Sequence, residues 1–112
     1  MGISTHILDT ARGCPAAGVS VTLAYMTNGL WVQLNDVITD ANGRCVHLLP
    51  QTQALQPGLY RIHFKTATYY QQHHLEGLYP YIEIVLTVSE GQQHYHIPLL
   101  LTANGYTTYR GS

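Results

Sequence analysis

The chain has 112 residues, a length that suits one domain spanning 1–112 whose core needs no metal or disulfide staple. Hydrophobic residues make up 46% and charged residues only 10%, which excludes an intrinsically disordered chain. Five basic and six acidic side chains give a net charge of -1, and Lys65 is the only lysine, so the clustered positive field of a nucleic-acid binder is missing.

Turn signals divide the sequence at short intervals, and the pieces between them read as strands. Ile3 to Thr10 is the first, ended by Arg12-Gly13-Cys14-Pro15. In Val19 to Met26, Val19, Val21 and Leu23 alternate with Ser20, Thr22 and Ala24, the period of two that marks a half-buried strand. Asn28-Gly29 turns the chain into Trp31 to Thr39, and Asp40-Ala41-Asn42-Gly43 turns it again into Arg44 to Leu49. After Pro57-Gly58, Tyr60, Ile62 and Phe64 alternate with Arg61, His63 and Lys65. Thr66 to Leu75 carries no Gly or Pro and stops before Gly77, which predicts a short helix. Ile82, Ile84, Leu86 and Val88 then share one face of a strand. Gly91 turns into Gln93 to Leu101, and Asn104-Gly105 into a last strand, Tyr106 to Arg110. Eight strands and one short helix predict a mainly β chain: a two-sheet antiparallel β-sandwich.

The same scarcity of charge bears on assembly. A small monomer usually covers itself with Lys and Glu, whereas this chain has nine Tyr and seven His. Tyr is enriched and charge depleted at protein interfaces, so the composition predicts an oligomer. No segment approaches the roughly 20 apolar residues of a membrane span. The start lacks a charged region followed by an apolar targeting core, which points to the cytoplasm, or to the periplasm if an export signal has been removed. Cys14 and Cys45 are compatible with two thiols or with one disulfide.

Histidine is the side chain whose charge changes nearest neutrality, which makes it both a proton-transfer agent and a metal ligand. His94 and His96 are two apart on a predicted strand and therefore share a face; with His6 as a third ligand that spacing is compatible with zinc. Neither cysteine flanks a histidine at ligand spacing, and His73-His74 on a helix point apart. Each histidine taken singly reads as a polar surface or satisfied core residue. Arg44, just past a turn, and Arg110, near the chain end, read locally as solvated charges.

Three motifs in order go further. Ile3-Ser4-Thr5-His6-Ile7-Leu8-Asp9-Thr10-Ala11-Arg12-Gly13 opens the chain, His94-Tyr95-His96-Ile97-Pro98-Leu99-Leu100-Leu101 lies near its end, and Tyr109-Arg110-Gly111-Ser112 closes it. Together they resemble the signatures of the 5-hydroxyisourate hydrolases, the transthyretin-like enzymes of purine breakdown. Thr39 to Arg44, Gly58 to Phe64 and Leu78-Tyr79-Pro80 fit the same family. Cys14, Thr102-Ala103-Asn104 and Thr107 depart from its usual residues, and they put only the loop before the last strand in question.

The resemblance implies that His6, Arg44 and His96 are catalytic and that Tyr109, Arg110, Gly111 and Ser112 line the substrate pocket. It implies hydrolysis of 5-hydroxyisourate to 2-oxo-4-hydroxy-4-carboxy-5-ureidoimidazoline without metal or organic cofactor. It further implies a homotetramer, a dimer of dimers, with sites where dimers meet, a small purine-derived substrate, and neither nucleic-acid nor membrane partners. An ordered end at Ser112 would bring a hydroxyl and the α-carboxylate into that pocket together. Which histidine acts as base and which as acid stays open. The rival reading is a transthyretin-type carrier that binds a hormone without catalysis: it shares the fold, so only the site separates the two. The resemblance implies that true carriers lack the His6, Arg44, His96 set and the closing tetrapeptide.

Overall fold

A computed structural model describes residues 2–91 and 94–111. Nine strands and one helix are found among these: β1 (Gly2–Asp9), β2 (Cys14–Pro15), β3 (Ser20–Thr27), β4 (Leu30–Ile38), β5 (Arg44–Cys45), β6 (Gly58–Phe64), α1 (Thr66–Gln72), β7 (Ile82–Val88), β8 (His94–Leu101) and β9 (Tyr106–Thr108). No helix among the described residues is long and apolar enough to cross a membrane.

They form two facing sheets. One runs β4-β3-β6-β7 and is antiparallel throughout. The other runs β2-β1-β8-β9, with β5 also paired to β1. The expected mainly β, two-sheet sandwich with one short helix is what the chain forms, and within it one pair departs from the antiparallel pattern: β1 and β8 run parallel from Gly2↔His94 to Asp9↔Leu101. Parallel partners need a long connection, and everything between β1 and β8 supplies it. The period-two pattern locates strands but does not record their relative direction.

Alternation then sorts the residues. Ile3, Thr5, Ile7 and Asp9 of β1, and Tyr95, Ile97, Leu99 and Leu101 of β8, are buried between the sheets. From the other sheet Val21, Leu23, Ile62 and Phe64 meet them. Full burial of one such aliphatic or aromatic side chain stabilises the fold by about 1.5–3 kcal/mol. The opposite face of β1 and β8 carries Ser4, His6, His94 and His96, and it looks away from the core.

Three boundaries differ from expectation by more than one residue. The strand expected over Arg44 to Leu49 stops at Cys45, because Leu48 and Leu49 are buried in succession and alternation fails. Their amides donate to the Ile3 carbonyl, and Asn35 Nδ2 donates to the Leu48 carbonyl. The helix ends at Gln72 rather than Leu75, with His74 at a positive φ of 55°. Thr66, Tyr69 and Tyr70, three and four residues apart, form its buried face. The last strand ends at Thr108 rather than Arg110, and Gly111 then makes an isolated bridge to His96. The two-residue strand β2 has no signature of its own, being a Cys-Pro pair that borrows its geometry from β1. Gln93, expected to open β8, lies outside the described residues.

Candidate functional site

The site is built on β1. His6 is the Cα partner of Arg44 across the antiparallel β1–β5 pair, so both side chains rise from the same side of the sheet. Arg44 is held there by the preceding turn: Asp40 Oδ1 accepts from the Asn42 and Arg44 amides, and the Asp40 amide donates to the Arg44 carbonyl. Gly43 completes that turn at φ 74°, and a Cβ on it would lie 2.5 Å from the Ile7 carbonyl oxygen, so the position requires glycine. The turn therefore fixes where the guanidinium starts.

On the other flank of β1, Ser4 is in register with His96 and Gly2 with His94. The Ser4 hydroxyl lies 2.7 Å from His96 Nδ1 and 2.9 Å from His94 Nε2, bridging the two imidazoles. The bridge uses Nδ1 of His96, and Nε2 makes no hydrogen bond among the described residues. Burial pushes the His96 imidazole below its usual range, helped by the nearby Arg44 guanidinium and then by His6 and His94. Burial does the same to His94, with His47 adding to it. Both rings are thus held neutral near pH 7, the form that accepts a proton.

The chain end reaches the same place. The Gly111 amide donates to the His96 carbonyl at 2.7 Å, and a Cβ on Gly111 would stand 2.7 Å from His96 Cδ2. The Arg110 guanidinium stacks on the Tyr95 ring, 4.2 Å from its centroid, and donates to the His94 carbonyl at 3.3 Å. Tyr109 is exposed. Ser112 lies outside the described residues. Beside His94 opens a cavity of about 270 Å³, lined also by Gly2, Ile3, Val46, His47, Leu49 and Gln51.

His6, Arg44 and His96, separate in sequence, are therefore gathered on one sheet face with Gly111 at its edge. Sequence reasoning did not single out Ser4, although it shares parity with His6 as His94 does with His96. His47 and Gln51 were also missed, because they belong to the stretch where alternation fails. Cys45 points inward, and burial raises its thiol to about 11, so it stays protonated and is no nucleophile at neutral pH. Both cysteines are free thiols. No cluster of three His, Cys, Asp or Glu arranged to hold a metal ion occurs among the described residues.

This geometry accompanies clear likenesses. Residues 3–111 match the model of the HIUase/Transthyretin family. The 5-hydroxyisourate hydrolase of Mus musculus is 41% identical, with 98% of this chain and 94% of that protein covered. The solved structure of Klebsiella pneumoniae 5-hydroxyisourate hydrolase superposes with a TM-score of 0.87 at 32% identity over the full length of both chains. Sea bream transthyretin in complex with thyroxine superposes with a TM-score of 0.91, also at 32% identity, over 99% of this chain and 95% of that one.

Proposed function

The chain belongs to the HIUase/Transthyretin family, and from that premise we propose that it is an enzyme that hydrolyses 5-hydroxyisourate in urate degradation, yielding 2-oxo-4-hydroxy-4-carboxy-5-ureidoimidazoline. Backbone likeness alone does not choose between enzyme and carrier, since the hydrolase and the thyroxine-bound transthyretin both superpose closely. The observation that carries the reading is the convergence of His6, Arg44 and His96 on one sheet face, with the His96 ring held neutral.

Ring opening of a cyclic amide needs an activated water, stabilisation of the charge that develops on the attacked carbonyl oxygen, and a proton for the departing ring nitrogen. Two imidazoles, His6 and His96, flank the water and handle its protons. The Arg44 guanidinium is permanently charged and presents a planar fork of donors, so it holds one edge of the flat substrate and stabilises the oxyanion. The closing tetrapeptide, Tyr109 to Ser112, belongs to the substrate-binding wall in this reading, supported by the contact of Gly111 with His96. No metal or organic cofactor enters the scheme. We assign the chain to the cytoplasm and to a homotetramer with sites between dimers. The assembly is supported by the charge-poor composition and by the exposed Val46 and Tyr109 flanking the site.

Freshly generated 5-hydroxyisourate decays spontaneously, and its absorbance gives a background rate. The protein is expected to accelerate that decay catalytically. Saturable ligand binding with no acceleration would instead identify a carrier.

A further inference from the structure

The Ser4 hydroxyl is buried at 8% exposure and touches two imidazoles at once, through a different ring nitrogen of each. A hydroxyl carries one hydrogen and accepts others, so it can donate to one ring while accepting from its neighbour. When His96 carries its hydrogen on Nδ1, it donates to Ser4 and Ser4 donates to His94 Nε2. The reverse arrangement, with His94 donating and His96 accepting, uses the same three atoms at the same distances. The bridge is thus a two-way switch, and its position decides whether the free His96 Nε2 is a lone pair or an N–H.

We propose that Ser4 is a positioning residue that joins His94 and His96 into one proton-sharing unit, so that His96 serves first as base and then as acid while His94 stores the proton. This rests on the hydrolytic reading of the same face. In the first step an O–H bond of water breaks as its oxygen bonds to the substrate carbonyl carbon, the C=O π pair moves onto the carbonyl oxygen, and the proton goes to His96 Nε2. The Nδ1 proton of His96 passes to Ser4 as the Ser4 proton passes to His94 Nε2. His96 is left neutral with a hydrogen on Nε2, and His94 is cationic. In the second step the oxyanion pair re-forms the C=O bond as the ring C–N bond breaks, the nitrogen takes the Nε2 proton, and the stored proton returns through Ser4 to His96 Nδ1. Every proton is conserved, and the enzyme ends as it began.

The surroundings suit the two roles. Burial first, and the nearby Arg44 guanidinium next, disfavour lasting protonation of His96. His94 lies farther along the face, lining the open cavity with His47, where solvent can hydrate an imidazolium; burial first, and nearby positive charge including His47, oppose that charge, so the proton is held there only until the second step. The Arg110 guanidinium touches the His94 carbonyl rather than its ring and is stacked on Tyr95.

The test combines kinetics with ¹⁵N NMR of histidine-labelled full-length protein. Ser4→Ala is expected to lower kcat roughly 10- to 100-fold, the scale of one hydrogen bond to a charged group, with KM changed less than about twofold. Ser4→Thr, which keeps the hydroxyl, is expected to restore most of the rate. At pH 8 the unsubstituted protein is expected to show His96 protonated on Nδ1, and Ser4→Ala to lose that preference. A wild-type kcat in Ser4→Ala, or a His96 in the unsubstituted protein that is protonated only on Nε2, overturns the proposal while leaving hydrolysis by the protein intact. The tautomer in the unsubstituted protein decides the matter even if the alanine variant fails to fold. If the protein does not accelerate 5-hydroxyisourate decay at all, the functional reading and the catalytic role of Ser4 fall together, and the tautomer then reports only the hydrogen-bonded triad.

Discussion

Gly111 rests against His96: its amide donates to the His96 carbonyl, and its Cα approaches the imidazole so closely that any side chain would collide with Cδ2. The end of the chain thereby acts as a wall for a ring whose other side is tied to Ser4. Gly111→Ala is expected to tilt the ring and lower kcat/KM by about tenfold or more, because reacting groups tolerate little misplacement. Thermal stability should barely change, since Gly111 makes only an isolated bridge beyond the last strand. Steady-state kinetics beside a melting curve separates the two effects, and an unchanged kcat/KM would contradict the contact.

His6→Ala, Arg44→Ala and His96→Ala are each expected to reduce the rate about 10²-fold or more, the scale for losing an acid–base or charge-stabilising group. All three side chains lie on the outward face, so melting temperatures should stay near that of the parent. Full activity in all three variants would remove the assigned site.

The lowered His96 imidazole fixes the sign of a pH effect. The acid limb of kcat/KM is expected to have its midpoint below 6.5, the usual histidine value. Burial is the larger cause and Arg44 the next, so Arg44→Gln should move that midpoint upward without reaching the usual value. Residual activity in the variant suffices to read the shift. Stability follows the same sign. The unfolded chain takes up protons first as pH falls through 6.5, so the contribution of the neutral His94–His96 pair is present above that pH and declines below it. Melting temperature measured from pH 8 to pH 5 should fall less in His96→Ala than in the parent.

Asp9 closes β1 at 3% exposure, and its carboxylate is held by Tyr69 Oη, which donates to Oδ2 at 2.7 Å, and by the Arg12 amide, which donates to Oδ1. The Tyr69 oxygen in turn accepts from Arg12 Nη1. Burial first, and the Asp9 carboxylate next, push the Tyr69 phenol up to about 12, so it remains a donor at every working pH. Tyr69→Phe leaves a buried carboxylate short of a donor and should cost about 1–3 kcal/mol of stability. Denaturant unfolding checks the loss, and kcat should be unaltered because Asp9 sits at the opposite end of β1 from Ser4.

Much of this was legible beforehand, for local reasons. Alternation in Val19 to Met26 and in Ile82 to Val88 placed those strands, and Asn28-Gly29 gave the hairpin its turn, with both residues at positive φ. His6, Arg44 and His96 were named from motif resemblance, and the structure sets them on one face. What escaped depends on contacts remote in sequence. The parallel pairing of β1 with β8 follows from the path of the intervening chain, and Ser4 acquires its meaning only once that pairing sets it opposite His96. Val46 to Leu49 fooled the pattern because consecutive burial there answers to Ile3 and Asn35, not to a ladder of their own.

The two sides of β1 obey separate demands. Ile3, Thr5, Ile7 and Asp9 at odd-numbered positions satisfy the interior, while Ser4 and His6 at even positions satisfy the chemistry. Substitutions on the outward pleat can therefore change the chemistry while the packing beneath keeps its shape. One backbone can thereby serve either to break a ring or to cradle one, and a hydrolase and a thyroxine-bound protein both superpose on this chain.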